Sequence, residues 1–230
     1  MKKLAIIPAR AGSKRIPRKN IRTFLGKPVI AYSIEAALNT KLFDEVMVST
    51  DDLEIARIAK DYGARVPFLR SEKMSNDHAS TMDVIEEVLK EYGQFNQIYE
   101  SVCCIYACAP FVNAERILEG YNLMVNKNFD SVFPVLPFGF PIQRALRVSH
   151  GKITYFSPEH ALSRSQDLEK GYHDAGQFYW MNPVICSLKK GIFTDNSGGL
   201  FISELEGQDI DNESDWKLAE LKYEFLQSIK

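Results

Sequence analysis

Apolar residues in this chain fall into short continuous runs that alternate with stripes of helical spacing. The segment Lys3 to Pro8 is such a run, the pattern of a strand buried on both faces. Pro28 suits the first turn of a helix, and Ile30, Ile34, Ala37 and Leu38 fall on one face behind it. Glu45 to Ser49 predicts a second strand. Asp51 and Glu54 then form a capping pattern ahead of a stripe at Ile55, Ala59 and Tyr62. Residues 66–69 predict a short strand, 70–80 a polar loop, and Val84, Ile85, Val88, Leu89 and Tyr92 a further helix. A strand over 102–106 follows. Asn113 is placed to cap a helix carrying Ile117, Leu118, Tyr121 and Val125, and 131–135 is strand-like again.

Five strand-then-helix alternations argue for an α/β fold: a mostly parallel sheet with helices on both faces. Ligands of such sheets bind at the carboxyl ends of the strands, so the loops after Pro8, Ser49, Leu69 and Tyr106 are expected to converge. The rhythm breaks over about 137–172, which is rich in Pro, Gly, Arg and Ser. A hairpin around His150-Gly151 there predicts a small arm inserted into one domain spanning 1–230. Residues 177–181 read as a return to the sheet. Asn212 is placed to cap a last helix with Trp216, Ala219, Tyr223 and Leu226 on one face.

Composition narrows this picture only slightly. The chain has 230 residues, 45% of them apolar, and a formal net charge of -2, which argues against a general nucleic-acid binder. The apolar run after Met-Lys-Lys is too short for a signal-peptide core, and no stretch is long enough to span a bilayer. A cytoplasmic protein without membrane partners is the expectation. Cys103, Cys104, Cys108 and Cys186 match no zinc spacing and read as reduced, buried thiols.

The chemistry concentrates after the first strand. Arg10, Lys14, Arg15, Arg18 and Lys19 lie within ten residues, with Gly12 for tight turning and Ser13 as a hydroxyl donor. Such a loop can wrap a polyphosphate, although neither G-x-x-x-x-G-K-[ST] nor G-x-G-x-x-G is present. By charge alone it is equally a solvated basic loop. The string Pro8-Ala9-Arg10-x-Gly12-Ser13-Lys14, followed by Lys19-Asn20, resembles the signature of the sugar-acid cytidylyltransferases. These enzymes make CMP-activated sialic acids and related nonulosonic acids. The resemblance runs over essentially the whole chain. Segments 15–20, 104–106, 140–146, 164–168 and above all 173–180 are similar to the members that act on pseudaminic acid.

That resemblance implies a Rossmann-like nucleotidyltransferase fold and an inserted arm that pairs two copies into a homodimer. It implies CTP contacts from Pro8, Ala9, Arg10, Ser13, Lys14, Asn20, Arg70 and Ala79, the last two bordering the cytosine. Arg10, Lys14, Lys19 and Arg164 become candidate catalytic groups. Tyr106, Gln166, His173, Asp174, Gln177 and Tyr179 become candidate contacts to the acidic sugar. Asp209 and Asp211 match the family's metal-binding acidic pair. Two residues apart in an extended segment, they point to one side and suit Mg²⁺ with phosphate oxygens. The chain departs from the family at Ala107-Cys108, where Pro-Thr is usual, and at Ala175, where sialic acid relatives often carry Asn.

The expected reaction is attack by the anomeric hydroxyl of a nonulosonic acid on the α-phosphorus of CTP, with release of pyrophosphate. Sialic or legionaminic acid as the sugar, glycosyl transfer from a nucleotide sugar, and a non-catalytic nucleotide-binding regulator are the alternatives. The base remains open between metal-bound water and Asp211.

Overall fold

The apolar runs pack side by side because each needs cover on both faces, and the helical stripes supply it. The computed structural model describes residues 2–229. In chain order the strands are β1 (Lys3–Pro8), β2 (Thr23–Phe24), β3 (Lys27–Pro28), β4 (Glu45–Ser49), β5 (Ser101–Ile105), β6 (Ser131–Pro137), β7 (Leu146–Ser149), β8 (Lys152–Tyr155), β9 (Tyr172–Asp174), β10 (Phe178–Met181) and β11 (Ser197–Phe201). The helices are α1 (Val29–Asn39), α2 (Leu53–Asp61), α3 (Thr81–Gln94), α4 (Ala114–Lys127), α5 (Pro183–Leu188) and α6 (Glu213–Ser228).

The central sheet has the order β11-β6-β10-β5-β1-β4, with β9 added on β6. β1 pairs in parallel with β4 and β5, and β11 with β6. β10 runs antiparallel between β5 and β6, and β9 antiparallel on β6. Five strands therefore share one direction, and the sheet is mainly parallel as the alternation predicts. Side chains alternate across it. Ala5, Ile7, Cys103, Ile105 and Trp180 face the layer of α1, α2 and α4, and Leu4, Ile6, Cys104, Tyr179 and Met181 face α3 and α5. α6 stands apart and packs Trp216 and Ala219 against Phe24, Tyr32 and Phe111. Cys103, Cys104 and Cys186 are buried free thiols, while Cys108 is partly exposed.

Several local expectations shift. Residues 66–69 form no strand: an isolated bridge from Arg65 to Met47 lies just before the segment, and Pro67 then lacks the donor a ladder would need. The cap of α2 is Asp52, which accepts from the N–H groups of Glu54 and Ile55, one residue after the Asp51 position of the sequence pattern. α4 buries Ile117, Gly120 and Met124, leaving Val125 exposed, because Phe178 and Trp180 press on Gly120 and turn that face inward. Leu38, expected inside with α1, is partly exposed at the end of its helix. β11 carries two glycines and no alternation, so periodicity did not signal it.

The arm between β6 and β9 contains the hairpin β7–β8, with Val148 opposite Ile153. His150 and Gly151 both take positive φ, 49° and 75°, the two-residue turn that matches strand twist and that glycine accepts without strain. Every residue of β7 and β8 is exposed.

Candidate active site

β1 ends at Pro8, and the chain must leave the sheet there without a continuing ladder. Ala9 donates to the Ser49 carbonyl at 2.9 Å, and the Asn20 side chain donates to the Arg10 carbonyl at 3.0 Å, which closes residues 10–20 into a loop over the sheet edge. The Asp51 carboxylate accepts from the Ala11 N–H at 3.0 Å. Lys19 Nζ donates to the Ile210 carbonyl at 2.7 Å and so ties this loop to the Asp209–Asp211 segment.

The loop frames a cavity of about 520 Å³ at the carboxyl edge of the parallel strands. Pro8, Arg10, Ser13, Lys14, Lys19, Asn20, Arg70, Ala79, Tyr106, Asp209 and Asp211 all line it. Residues drawn from five separate stretches of sequence thus meet as the strand-end rule predicts. The loop cations are already engaged by acids. Arg10 Nη1 lies 2.6 Å from Asp77, Lys14 pairs with the other oxygen of the same carboxylate, and Arg15 meets Asp211 at 2.8 Å. Arg18 points out of the cavity, to Asp52 at 3.2 Å and Glu54 at 2.5 Å. Lys14 and Arg10 hold the Asp77 carboxyl below its usual value, through hydrogen bonds first and charge second.

The far wall is built on a buried side chain. Arg70 is buried, and donates from Nε to Ser49 Oγ at 3.0 Å and from Nη2 to the Ser49 carbonyl at 2.5 Å. Burial pulls its guanidinium below the usual value, with Asp51 acting in the opposite sense. Asn76 Oδ1 accepts from the N–H groups of His78 and Ala79, which turns the chain into the capping box of α3, built by Ser80 and Asp83. Ala79, Ser80 and Thr81 line the cavity, so the electropositive start of a helix of 14 residues borders it. On the acidic side, burial first and Asp211 second push the Asp209 carboxyl above its usual value, and Lys19 opposes them. Burial pushes the Cys108 thiol up to about 12, so it stays protonated near neutrality and offers no nucleophile there.

Other candidate residues stand elsewhere. Ala9 is fully buried behind the cavity wall. Arg164 and Gln166 are exposed on the arm, outside the cavity. His173 is exposed and bonds through Nδ1 to the Asp174 carbonyl at 2.9 Å. Gln177 is buried and donates to the Glu206 carbonyl at 2.6 Å, a structural tie that turns its amide away from the cavity. Asp174 and Tyr179 stand one layer behind the wall, with the Tyr179 hydroxyl 2.6 Å from Asp174 Oδ2. Conversely Arg15, Asn76, Asp77, Thr81, Cys108 and Gly176 line the cavity without having been candidates. Asp77 and Asn76 carry no readable signal, being two polar residues in a polar loop. Arg15 was visible in the basic run, and only its partner Asp211 distinguishes it from Arg18.

Comparison with known proteins decides the class. A family model described as Cytidylyltransferase matches residues 4–194. This chain belongs to the cytidylyltransferase family. The pseudaminic acid cytidylyltransferase of Campylobacter jejuni subsp. jejuni serotype O:2 is 44% identical over 224 residues, covering 97% of this chain and 97% of the relative. The CMP-N,N'-diacetyllegionaminic acid synthase of Legionella pneumophila is 34% identical over 236 residues, covering 99% and 98%. A Helicobacter pylori protein that joins a pseudaminic acid cytidylyltransferase to a UDP-sugar hydrolase is 37% identical over 211 residues, covering 91% of this chain and 40% of the relative. Among solved structures, a CMP:2-keto-3-deoxy-manno-octonic acid synthetase complexed with CTP superposes with a TM-score of 0.70 over 99% of this chain and 100% of that one. At 17% identity that likeness speaks for the nucleotidyltransferase fold. A cytidylyltransferase is a CTP-using nucleotidyltransferase, and open α/β sheets as a class bind ligands at the carboxyl ends of their strands, the edge this cavity occupies.

Proposed function

We propose that this cytidylyltransferase transfers CMP from CTP to the anomeric hydroxyl of pseudaminic acid and releases pyrophosphate. The observation that carries the reading is the cavity itself. An exposed cationic rim of Arg10 and Lys14 shares the cavity with buried Arg70, the α3 terminus, the carboxylates of Asp209 and Asp211, and Tyr106. The polyphosphate belongs on the rim, where Arg10, Ser13 and Lys14 offer donors to charge that grows on the α-phosphate and the leaving pyrophosphate. The cytosine belongs against Arg70 and Ala79. Lys19, held by the Ile210 carbonyl, sits between rim and carboxylates and is the group to orient the attacking oxygen. The sugar then lies toward Tyr106. The choice of pseudaminic acid rests on the high identity to relatives named for it. Incubation with CTP, Mg²⁺ and a panel of nonulosonic acids tests it: fastest pyrophosphate release is expected with pseudaminic acid, and preference for sialic or legionaminic acid would reassign the substrate.

Asp209 and Asp211 fit Mg²⁺. Both line the cavity; burial first and the charge of Asp211 second raise the Asp209 carboxyl, and a dication between the two would relieve the second of these. Among the described residues no group of three His, Cys, Asp or Glu side chains could hold a metal, so the remaining ligands would be phosphate oxygens and water. The ion would supply charge neutralisation on the phosphates. Arg15 would give up Asp211 when it arrives.

We also read the chain as a homodimer joined through the arm. Phe140 is 86% exposed, Val148 70% and Leu162 99%, and a lone two-stranded hairpin is marginal in water. A partner surface would cover these side chains, and it would reconcile the exposed Arg164 and Gln166 with roles at a cavity, that of the other copy. Light scattering tests the dimer. The reading is of a cytoplasmic enzyme, since CTP is drawn from that pool, with no nucleic-acid or membrane partner; no helix among the described residues is long and apolar enough to cross a membrane.

A further inference from the structure

The cations of the cavity are held in two ways. Arg70 and Lys19 donate to uncharged oxygens, at Ser49 and at the Ile210 carbonyl. Arg10 and Lys14 instead share one carboxylate. Arg10 Nη1 lies 2.6 Å from Asp77 Oδ1, and Lys14 Nζ takes Oδ2, so both oxygens of the acid are engaged by the rim. Asp77 itself lines the cavity. It sits in a turn where Asn76 Oδ1 accepts from the His78 N–H at 2.7 Å and the Ala79 N–H at 3.0 Å, just ahead of the capping box of α3. The carboxylate is therefore anchored on one loop of the cavity and closes a clasp on the cations of another.

The clasp is made of exposed groups: the Asp77 side chain is 44% exposed and that of Lys14 79%. Ion pairs this exposed are screened by water and salt and open readily. Arg10 and Lys14 hold the Asp77 carboxyl below its usual value, so it keeps its charge at neutral pH. One carboxylate brings a single negative charge to two cations. A triphosphate brings more charge on more oxygens and can satisfy both cations at once. To bind on the rim it must find the clasp open, and the observed affinity is the intrinsic one reduced by the open fraction. The same holds for pyrophosphate. A tethered carboxylate competes at a high local concentration however dilute the enzyme is.

We propose that Asp77 is a tethered competitor for the polyphosphate: it occupies Arg10 and Lys14 in the empty cavity, yields them to the triphosphate of CTP, and takes them back as pyrophosphate leaves. This rests on the function proposed above, which places the polyphosphate on this rim. Asp77 lowers the affinity for substrate and for leaving product by the same factor. A rim cationic enough to stabilise growing phosphate charge then does not retain pyrophosphate. Tight ground-state binding adds nothing to turnover once the site is saturated, so the lost CTP affinity costs little there.

Calorimetric titration of the full-length enzyme with CTP and with pyrophosphate, at fixed Mg²⁺ and without sugar, tests this. Asp77→Asn keeps the shape of the side chain and removes its charge. The Kd for CTP is expected to fall about 3- to 10-fold, which corresponds to a clasp open in about a third to a tenth of wild-type molecules. The Kd for pyrophosphate is expected to fall by a similar factor, with the melting temperature retained. Asp77→Ala is expected to give the same gain for both ligands. In a Lys14→Ala background the gain is expected to shrink to less than about twofold, because half of the clasp is already gone. Unchanged or weaker CTP binding in the Asp77 variants overturns the proposal and makes Asp77 a scaffold that holds the two cations for the phosphates. Tighter CTP binding with unchanged pyrophosphate binding also overturns it, since the effect would then lie on the Ala79 side. So does a full gain in the Lys14→Ala background, which would show a charge acting at a distance. Lys14→Ala alone reads the underlying placement: if it binds both ligands as wild type does, the polyphosphate is not on this rim, whatever the Asp77 variants do.

Discussion

The cavity and the arm are both built from chain that leaves the sheet at its edges, yet they resolve their loose ends in opposite ways. At the cavity nearly every exposed charge has a partner within the same chain: Arg10 and Lys14 share Asp77, and Arg15 takes Asp211. At the arm large apolar side chains such as Phe140, Val148 and Leu162 stand exposed, and β7 and β8 expose every residue. Ion pairs at a surface are weak and exchange readily, so a rim held by them can be taken over by a polyphosphate. Exposed apolar side chains have no such substitute in water, and in the proposed dimer a protein surface would cover them. The cavity is thus open to a small anion, whereas the arm is the surface on which the proposed second copy would dock.

The sharpest way to break this contrast is to attack the floor that both depend on. Trp180 is fully buried in the sheet, stacked on Phe43 with its indole N–H donating to the Ile117 carbonyl at 2.8 Å. Trp180→Ala is expected to cost about 3–5 kcal/mol by urea unfolding. The rim responds differently. Lys14→Ala touches only exposed side chains, so the melting temperature should hold while kcat/KM for CTP falls on the order of 10²–10³-fold in a pyrophosphate-release assay. Parallel loss of fold and activity would mean that the rim is structural. Between these lies the α4 cap. Asn113 accepts from the Arg116 N–H at 2.9 Å, and Asn113→Ala should cost about 1 kcal/mol without changing kinetics. The smallest effect on stability is expected at the arm. Leu162→Ala should alter monomer stability by less than about 0.5 kcal/mol. The same variant is expected to weaken self-association by sedimentation velocity. An unchanged association would remove that side chain from any interface.

Much of the sheet was legible because a strand buried on both faces must be apolar throughout, and β1, β4, β5 and β6 satisfy that almost residue for residue. The caps at Asn113 and Asn212 and the turn at His150-Gly151 were legible for a local reason: each acts within three residues of itself. The basic rim was legible as charge, and its family resemblance turned charge into class. What sequence alone left unordered is what depends on distance along the chain. Asp77 is 67 residues from Arg10, and Asp211 is 196 from Arg15. No periodicity or propensity couples positions so far apart. Strand β10 shows the same limit. Its sequence promised a return to the sheet, but only the fold inserts it antiparallel between β5 and β6, and that direction carries residues 174–177 to the carboxyl edge beside Tyr106. The sequence by itself determined the buried strands β1, β4, β5, β6 and β10, which loop is cationic and which family the chain resembles, because these follow from local pattern. Tertiary structure decided which acids neutralise that loop, which candidates reach the cavity and which stand behind it, because those depend on where the sheet brings remote residues together.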